Sequence, residues 1–302
     1  MTTVAVLSHI VVDEVFDADR RPVGIEVGGA GAYAAVGASL AGADGSTFLV
    51  SGVGSEDRDL LVGWCARRQI AAEGLFDVGR QSPRTRIQYF ADGEREETPV
   101  FGLAHFDAHT PLPRHIPDAS APLGGTYLFH DLDPAYWSEV EPFTRLSSGP
   151  VLWEISLDAC RVENRGAVWE LLDAVDVLSV NETESFALLG ASSIADVVEQ
   201  FAHAAATVVL RRGANGSLVI DGHDLHEVGT APTPAQDPTG GGNSYSGAFL
   251  SAFARTGDLE NSARLAAAAA SAVVAAPGAP EVDDARRRAV AAAAEAVRTR
   301  RH

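Results

Sequence analysis

Between Asp237 and Phe253 the chain reads DPTGGGNSYSGAFLSAF, with three consecutive glycines, Gly240, Gly241 and Gly242, directly ahead of an apolar-periodic segment. Backbone N–H groups that converge at a helix start, unobstructed by side chains, make a site for a phosphate or an oxyanion, backed by the positive end of the helix dipole. Tyr245, Ala248, Phe249, Ala252 and Phe253 recur at i, i+3, i+4, i+7 and i+8, so one helical face is buried and the turn is held still. The same residues also allow a plain glycine-rich turn in which Asn243 is the N-cap. Other groups with chemical potential are spread along the chain. Asp13 follows the first apolar run, Asn181 and Glu184 follow a later one, and Arg211 and Arg212 precede Gly213 and Gly216. Each has a simpler reading: a solvated turn residue, a helix-start cap and solvated charge, respectively. His105 and His109 are four apart but lie beside Pro111 and Pro113 without a third ligand nearby, which is weak support for a metal. Ser244 has no GxSxG around it, so it is not a nucleophile elbow.

The elements that must position these groups follow from periodicity. Val4 to Leu7 is a short buried strand, Ala32 to Ala41 a helix of small residues packed close to something else, and Thr47 to Val53 a second buried strand before an amphipathic stretch, Glu56 to Gln69. Thr85 to Phe90 and Glu97 to Phe101 flank a turn at Asp92-Gly93; with residues 13 to 27 they suggest a small separate sheet. From Gly125 the pattern alternates regularly: strands at 127 to 129, 151 to 155, 175 to 180, 207 to 211 and 217 to 220, and helices at 134 to 146, 165 to 172, 182 to 189 and 194 to 205. Helices at about 243 to 256, 258 to 275 and 283 to 300 close the chain. Alternation of this kind predicts right-handed βαβ units and a parallel sheet covered on both faces, with ligands beyond the carboxyl ends of its strands. Asp13, Asn181 and the Gly240 turn fall at that edge.

Composition narrows the function. A chain of 302 residues buries a substantial core without staples, and its two cysteines, Cys65 and Cys160, form no metal or disulfide pattern, which fits a reducing, cytoplasmic setting. The opening MTTVAVLSHIVVDE has no basic leader and its apolar run stops at Asp13, so neither a signal peptide nor a membrane span is expected. Lys+Arg 23 against Asp+Glu 41, a net charge of −18, argues against nucleic acid or anionic membrane as partner; an anionic ligand needs a local positive site.

In order and spacing, these elements resemble the ribokinase-like, or PfkB, family of carbohydrate and nucleoside kinases, over nearly the whole chain from Asp13 to the C-terminal helices. DPTGGGN followed by SYSGAFLSAF is similar to the family's late signature, DTxGAGD and an apolar helix. Gly28-Gly29 and Leu40-Ala41-Gly42 resemble its early GGxxxNxA…LxxLG, Asn181 to Glu184 its NxxE, and Arg212 to Gly216 its nucleotide-side GxxG loop. The resemblance implies one ribokinase-like domain over 1–302: an α/β/α sandwich, a mostly parallel central sheet, and a small β lid from about 13–27 and 84–102. It further implies transfer of the γ-phosphoryl group of ATP, or another nucleoside triphosphate, with Mg²⁺, to a hydroxymethyl group of a small sugar or nucleoside-like molecule. The Gly240, Gly241 and Gly242 amides would then stabilise the moving group beside position 243, and Asp13 would grip neighbouring hydroxyls, with Gly28, Gly29 and Tyr33 on the same side. Asn181, Glu184, Arg211, Gly213 and Gly216 would serve the nucleotide, Glu184 holding Mg²⁺ through water. A lid of this kind also implies a homodimer paired through it.

Three positions depart from the family pattern. Its catalytic Asp, closing the late signature, is Asn243 here; its substrate-side Asn is Tyr33; and its Asn on the penultimate helix is Ala267. An amide takes up no proton, and loss of a general base is worth about two to four orders of magnitude, although loose phosphoryl transfer depends mostly on positioning and charge. Weak kinase activity is therefore expected. The alternative is a catalytically impaired, kinase-like protein that senses a sugar or nucleotide or serves as a partner protein.

Overall fold

In the computed structural model, which describes residues 3–90, 95–117 and 122–302, side-chain alternation on the first strand sets the frame. On β1 (Val4–Leu7), Val4 and Val6 join one apolar core, Ala5 and Leu7 another on the opposite face. A strand buried on both faces belongs at the centre of a sheet. After it come β2 (Val11–Phe16), β3 (Pro22–Gly28), α1 (Ala30–Ala41), β4 (Thr47–Val53), α2 (Arg58–Ala66), β5 (Leu75–Asp77), β6 (Arg84–Tyr89), β7 (Arg95–Pro99) and α3 (Leu103–Ala108). The regular alternation follows: β8 (Gly125–His130), α4 (Pro134–Thr144), β9 (Val151–Ile155), α5 (Arg165–Leu172), β10 (Val177–Asn181), α6 (Glu182–Leu189), α7 (Ile194–Phe201) and β11 (Thr207–Arg211). The chain ends with β12 (Ser217–Asp221), β13 (Asp224–Val228), α8 (Gly241–Thr256), α9 (Leu259–Val274), α10 (Asp284–Glu295) and β14 (Thr299–Arg301).

Ten strands form the main sheet in the order β14-β13-β12-β11-β10-β9-β8-β1-β4-β5, parallel from β11 to β5 and antiparallel from β11 to β14. Helices α1, α8 and α9 cover one face; α4 to α7 cover the other. This is the expected three-layer α/β/α architecture. A second sheet, β3-β2-β6-β7, stands beside it, with β2 and β6 parallel. It comes from the two segments expected to form a small sheet; the Asp92-Gly93 turn between β6 and β7 lies outside the described residues.

Several element ends differ from the periodic reading by a few residues, and two of these shifts have a clear physical cause. The last helix ends at Glu295, not 300, because Thr299–Arg301 pairs antiparallel with β13 at the sheet edge, and the Thr299 hydroxyl donates to Glu260 at 2.6 Å. Sheet pairing there overrides the helix propensity of an Ala- and Arg-rich run. Helix α8 starts at Gly241, two residues before Asn243, because Gly240 adopts φ 71° and serves as N-cap without a side-chain bond. Asn243 is therefore not the N-cap and its side chain is free for another partner.

The small residues of α1 allow backbone contact with α8. A methyl group at Gly37 would overlap the Ser244 carbonyl, and one at Gly247 would overlap that of Ala34. Gly37→Ala or Gly247→Ala should each lower stability by ~1–3 kcal/mol, since a tight interface yields only by backbone shift. Urea melts of the two variants check this; midpoints matching the parent would contradict it.

Candidate active site

Polar side chains on the main sheet gather where its strands meet the start of α8. Along β9, Leu152 packs under α8, Trp153 on the other face, and Glu154 again toward α8. Along β11, Val209 and Arg211 point the same way. Ser179, in register with Glu154, hydrogen bonds Ser246 of α8 at 2.8 Å. Strand periodicity thus aims a carboxylate and a guanidinium, both at strand carboxyl ends, at the glycine turn.

The turn separates two cavities. One, of about 400 Å³, is bounded by Gly241, Gly242, Arg211, Gly213, Gly216 and the small side chains of α9, among them Ala267 and Ser271. The other, of about 410 Å³, lies under the second sheet and is bounded by Asp13, Gly29, Tyr33, Thr239, Gly240 and Asn243, with Phe106, Phe129 and Arg95 closing it. Left-handed Gly240 sits on the Tyr33 ring, which a Cβ there would overlap; a Cβ at Gly242 would overlap the Arg211 guanidinium. Gly240 thus needs glycine for space and for conformation, whereas a side chain at Gly242 would displace the Arg211 guanidinium. Asp237 supports the turn by accepting from the Thr239 N–H at 2.9 Å.

Glu154 is the centre of the polar cluster. Only 2% exposed, it accepts from the Asn243 amide nitrogen at 2.9 Å, from the Tyr127 hydroxyl at 2.9 Å and from Arg211 Nη1 at 2.9 Å. Burial first, and then the Glu154 charge, pushes the Tyr127 phenol well above its ordinary value, so it stays a donor. Arg211 also faces Glu184 at 3.5 Å, and its Nε is buried without a partner. Sequence periodicity places Val151 to Ile155 in a buried strand, but it does not bring Glu154 forward as a site residue. A charged residue at the carboxyl end of a two-face-buried strand is the signal that could have found it.

On the side of the second cavity, Gly28 leaves room for the Asp13 carboxylate, which a Cβ there would overlap. Burial, followed by the charges of Glu97 and Glu26 and opposed by Arg95, raises the Asp13 carboxyl to about 7. A folded-state carboxyl held above its unfolded value binds its proton longer, so it lowers stability as pH rises from about 4 to about 7. Asp13→Asn should accordingly melt several degrees above the parent at pH 8, with the gap closing by pH 4. Melting curves across that range check this; a gap that does not change with pH would refute it. His9 in the same cavity meets the Phe106 carbonyl at 2.9 Å, and burial lowers its imidazole to about 4, so it is neutral at neutral pH. Arg95, from the second sheet, donates to Thr239 Oγ1 at 2.6 Å and ties that sheet to the glycine turn.

On the side of the first cavity, Asn181 and Glu184 form the reciprocal cap of α6, with Oδ1 accepting from the Glu184 N–H at 2.9 Å and Oε2 from the Asn181 N–H at 2.7 Å. Burial raises the Glu184 carboxyl and nearby Glu154 adds to it, against the lowering by Arg211 and the Asn181 N–H. Two carboxylates share one guanidinium here, so the cluster is short of positive charge. That suits a Mg²⁺ ion that arrives with a triphosphate and keeps its waters. Among the described residues no group of three or more His, Cys, Asp or Glu side chains could cage a resident ion. Arg212 pairs with Glu182 at 3.1 Å, and Gly213 and Gly216 turn the chain at φ 54° and 78°.

His105 and His109 form no metal pair. His109 meets the carbonyls of His105 at 2.7 Å and Val78 at 3.1 Å, and His105 Nε2 meets that of Gln81 at 3.0 Å, so three of the four ring nitrogens are taken up in closing the chain around α3. Among the described residues no helix is long and apolar enough to cross a membrane.

Comparison with known proteins agrees with this geometry. The chain is 26% identical over 272 residues to a cytidine kinase from Thermococcus kodakarensis, covering 88% of this chain and 93% of that protein. Its fold matches ribokinase from Thermotoga maritima with a TM-score of 0.74 at 20% identity, over 98% of this chain and all of the other. It also matches ribokinase from Cryptococcus neoformans var. grubii in complex with ADP, with a TM-score of 0.73 at 18% identity, over 98% and 100% of the two chains. The sequence profile described as pfkB family carbohydrate kinase matches residues 1–286. A ribokinase-like three-layer sandwich, two cavities meeting at a glycine turn and a match over nearly the full length lead to one conclusion: this chain belongs to the pfkB family of carbohydrate kinases, whose members phosphorylate sugars and nucleosides.

Proposed function

We propose that this protein transfers the γ-phosphoryl group of ATP, or a related nucleoside triphosphate, to a hydroxymethyl group of a sugar or nucleoside-like molecule. The observation that carries this is the pair of cavities meeting at Gly240 to Asn243, one lined by the Gly213 to Gly216 turn and α9, the other by Asp13 and Tyr33. Relatives named as a cytidine kinase and as a ribokinase with ADP bound support the same two ligands. In this reading the triphosphate lies along Gly213 and Gly216 with its γ-phosphoryl on the N–H groups at the start of α8. Arg211 stands beside it, and Glu184, through water, helps hold Mg²⁺. When bound, the ion would draw charge from the phosphate oxygens.

Asp13 grips acceptor hydroxyls, and Asn243 holds the attacking one in line. A bond forms from the acceptor oxygen to Pγ, the Pγ–O bond to the β-phosphate breaks, and the nucleoside diphosphate leaves with that electron pair. The hydroxyl proton departs late, to a phosphate oxygen or water, since no residue at position 243 takes it up. The second sheet acts as a lid, closed by Arg95 on Thr239, and excludes water that would otherwise accept the phosphoryl group.

ATP-dependent phosphorylation across a panel of sugars and nucleosides tests the proposal, with Gly241→Asp as control because a carboxylate there repels phosphate. No turnover above that control with any acceptor would sink it. Asn243 gives one observation in favour of a second reading, a protein that binds nucleotide and sugar without turnover. Calorimetric binding of both ligands in the absence of product would establish it.

A further inference from the structure

We propose that Glu154 is a positioning residue that sets the orientation of the Asn243 amide, so the carboxylate of this site has moved from helix α8 to strand β9. This rests on the phosphoryl-transfer reading above. Among the described residues each hydrogen-bonding partner of Glu154 is a donor, the Tyr127 hydroxyl, Arg211 Nη1 and the Asn243 side chain, while the Glu184 carboxylate shares Arg211 and adds negative charge nearby. A carboxylate that accepts from all three cannot donate back to Asn243, so the Asn243 NH₂ must face it. Oδ1 is then the atom left for the second cavity, which Asn243 lines and Glu154 does not. The distinction matters because the two amide orientations are nearly isosteric and opposite in effect. With Oδ1 toward the acceptor, Asn243 receives the hydroxyl hydrogen and leaves an oxygen lone pair free for phosphorus. Turned round, its NH₂ would donate to that lone pair and block it.

The same geometry fixes what a carboxylate at position 243 would do. Asn243→Asp would place two carboxyl groups within hydrogen-bond distance, with Arg211 as the cation they share. Like charges so close cannot both ionise at neutral pH, so one proton is retained between them and the introduced aspartate is a poor base. Glu154→Gln in the same chain removes the conflict: the introduced glutamine amide donates to the new carboxylate, which then stands ionised at the acceptor.

The test uses the parent chain, Glu154→Gln, Asn243→Asp and the double variant, each followed by melting curves from pH 5 to pH 8 and by ATP-dependent turnover. Asn243→Asp should lose stability relative to the parent as pH rises, by about 3–8 °C at pH 8, and the double variant should not. In turnover, Glu154→Gln should lower kcat with little change in KM for ATP, and the double variant should exceed Asn243→Asp by at least about tenfold. The rate of the double variant should rise with pH as the introduced aspartate loses its proton. Identical pH dependence of melting in Asn243→Asp and the double variant would overturn the proposal, as would an unchanged kcat in Glu154→Gln. If no protein in the series turns over any acceptor, the kinase reading fails, and the melting curves alone decide whether Glu154 and Asn243 are coupled as described.

Discussion

Arg211→Ala is expected to cost about 3–5 kcal/mol of stability, because it leaves two buried carboxylates without the guanidinium between them. Arg211 is 11% exposed at its side chain and stands 2.9 Å from Glu154 and 3.5 Å from Glu184, themselves almost fully buried. Without it, both carboxyls would keep their protons to higher pH in the folded state than in the unfolded one. The loss should thus be greatest near pH 8 and shrink toward pH 5. For a chain of this length the shift in Tm is about 5–8 °C. Arg211→Met with Glu154→Gln should recover much of it, since an uncharged pair leaves less unpaired charge behind. A second effect is on nucleotide binding. Arg211 lines the first cavity beside Gly242, so its guanidinium charge borders the space proposed for the phosphates. ATP affinity measured by calorimetry in Arg211→Lys, which keeps the charge, should fall by about tenfold or more, because an ammonium cannot span both carboxylates and a phosphate. Unchanged melting in Arg211→Ala would refute the stabilising role, and unchanged ATP affinity in Arg211→Lys the phosphate role.

Gly240→Ala is the second large effect, and it falls on turnover. At φ 71° an alanine costs about 1 kcal/mol in backbone strain alone, and its methyl group would overlap the Tyr33 ring. The turn must move, and with it the N–H groups proposed to hold the γ-phosphoryl group. Loss of one such donor is worth about 10²–10³ in kcat. ATP binding should be nearly unaffected, since the first cavity is bounded by Gly241 and Gly242 and not by Gly240. Tyr33→Ala introduced into Gly240→Ala should recover part of the rate by removing the overlap, but not the part due to φ. Rate measurements with saturating ATP on the single and double variants separate the two; parent-like turnover in Gly240→Ala would show that the turn does not carry the chemistry.

Much of the scaffold is legible from residue patterns because it depends on short-range regularities. The alternation of β1, the strand and helix repeats after Gly125 and the small residues of α1 each report a local geometry. Where tertiary pairing competes with local preference, periodicity misleads: Thr299–Arg301 joins the sheet edge instead of continuing α10, and Gly240, not Asn243, caps α8. The Asn181 and Glu184 pair shows the opposite limit. Its sequence allows both a cap and an ion-holding role; the cap is formed, while Glu184 also faces Arg211.

The sequence by itself determined the backbone part of the site, three glycines at a helix start flanked by strands of a parallel sheet, because glycine content and hydrophobic period act through the chain's own conformation. It also determined that position 243 holds an amide. Only the tertiary structure decided what that amide faces. Asn243 and Glu154 are 89 residues apart, and Arg211 joins them from a third element. Hydrogen bonding among side chains from β8, β9, β11 and α8 depends on sheet order and strand register, which no local pattern encodes.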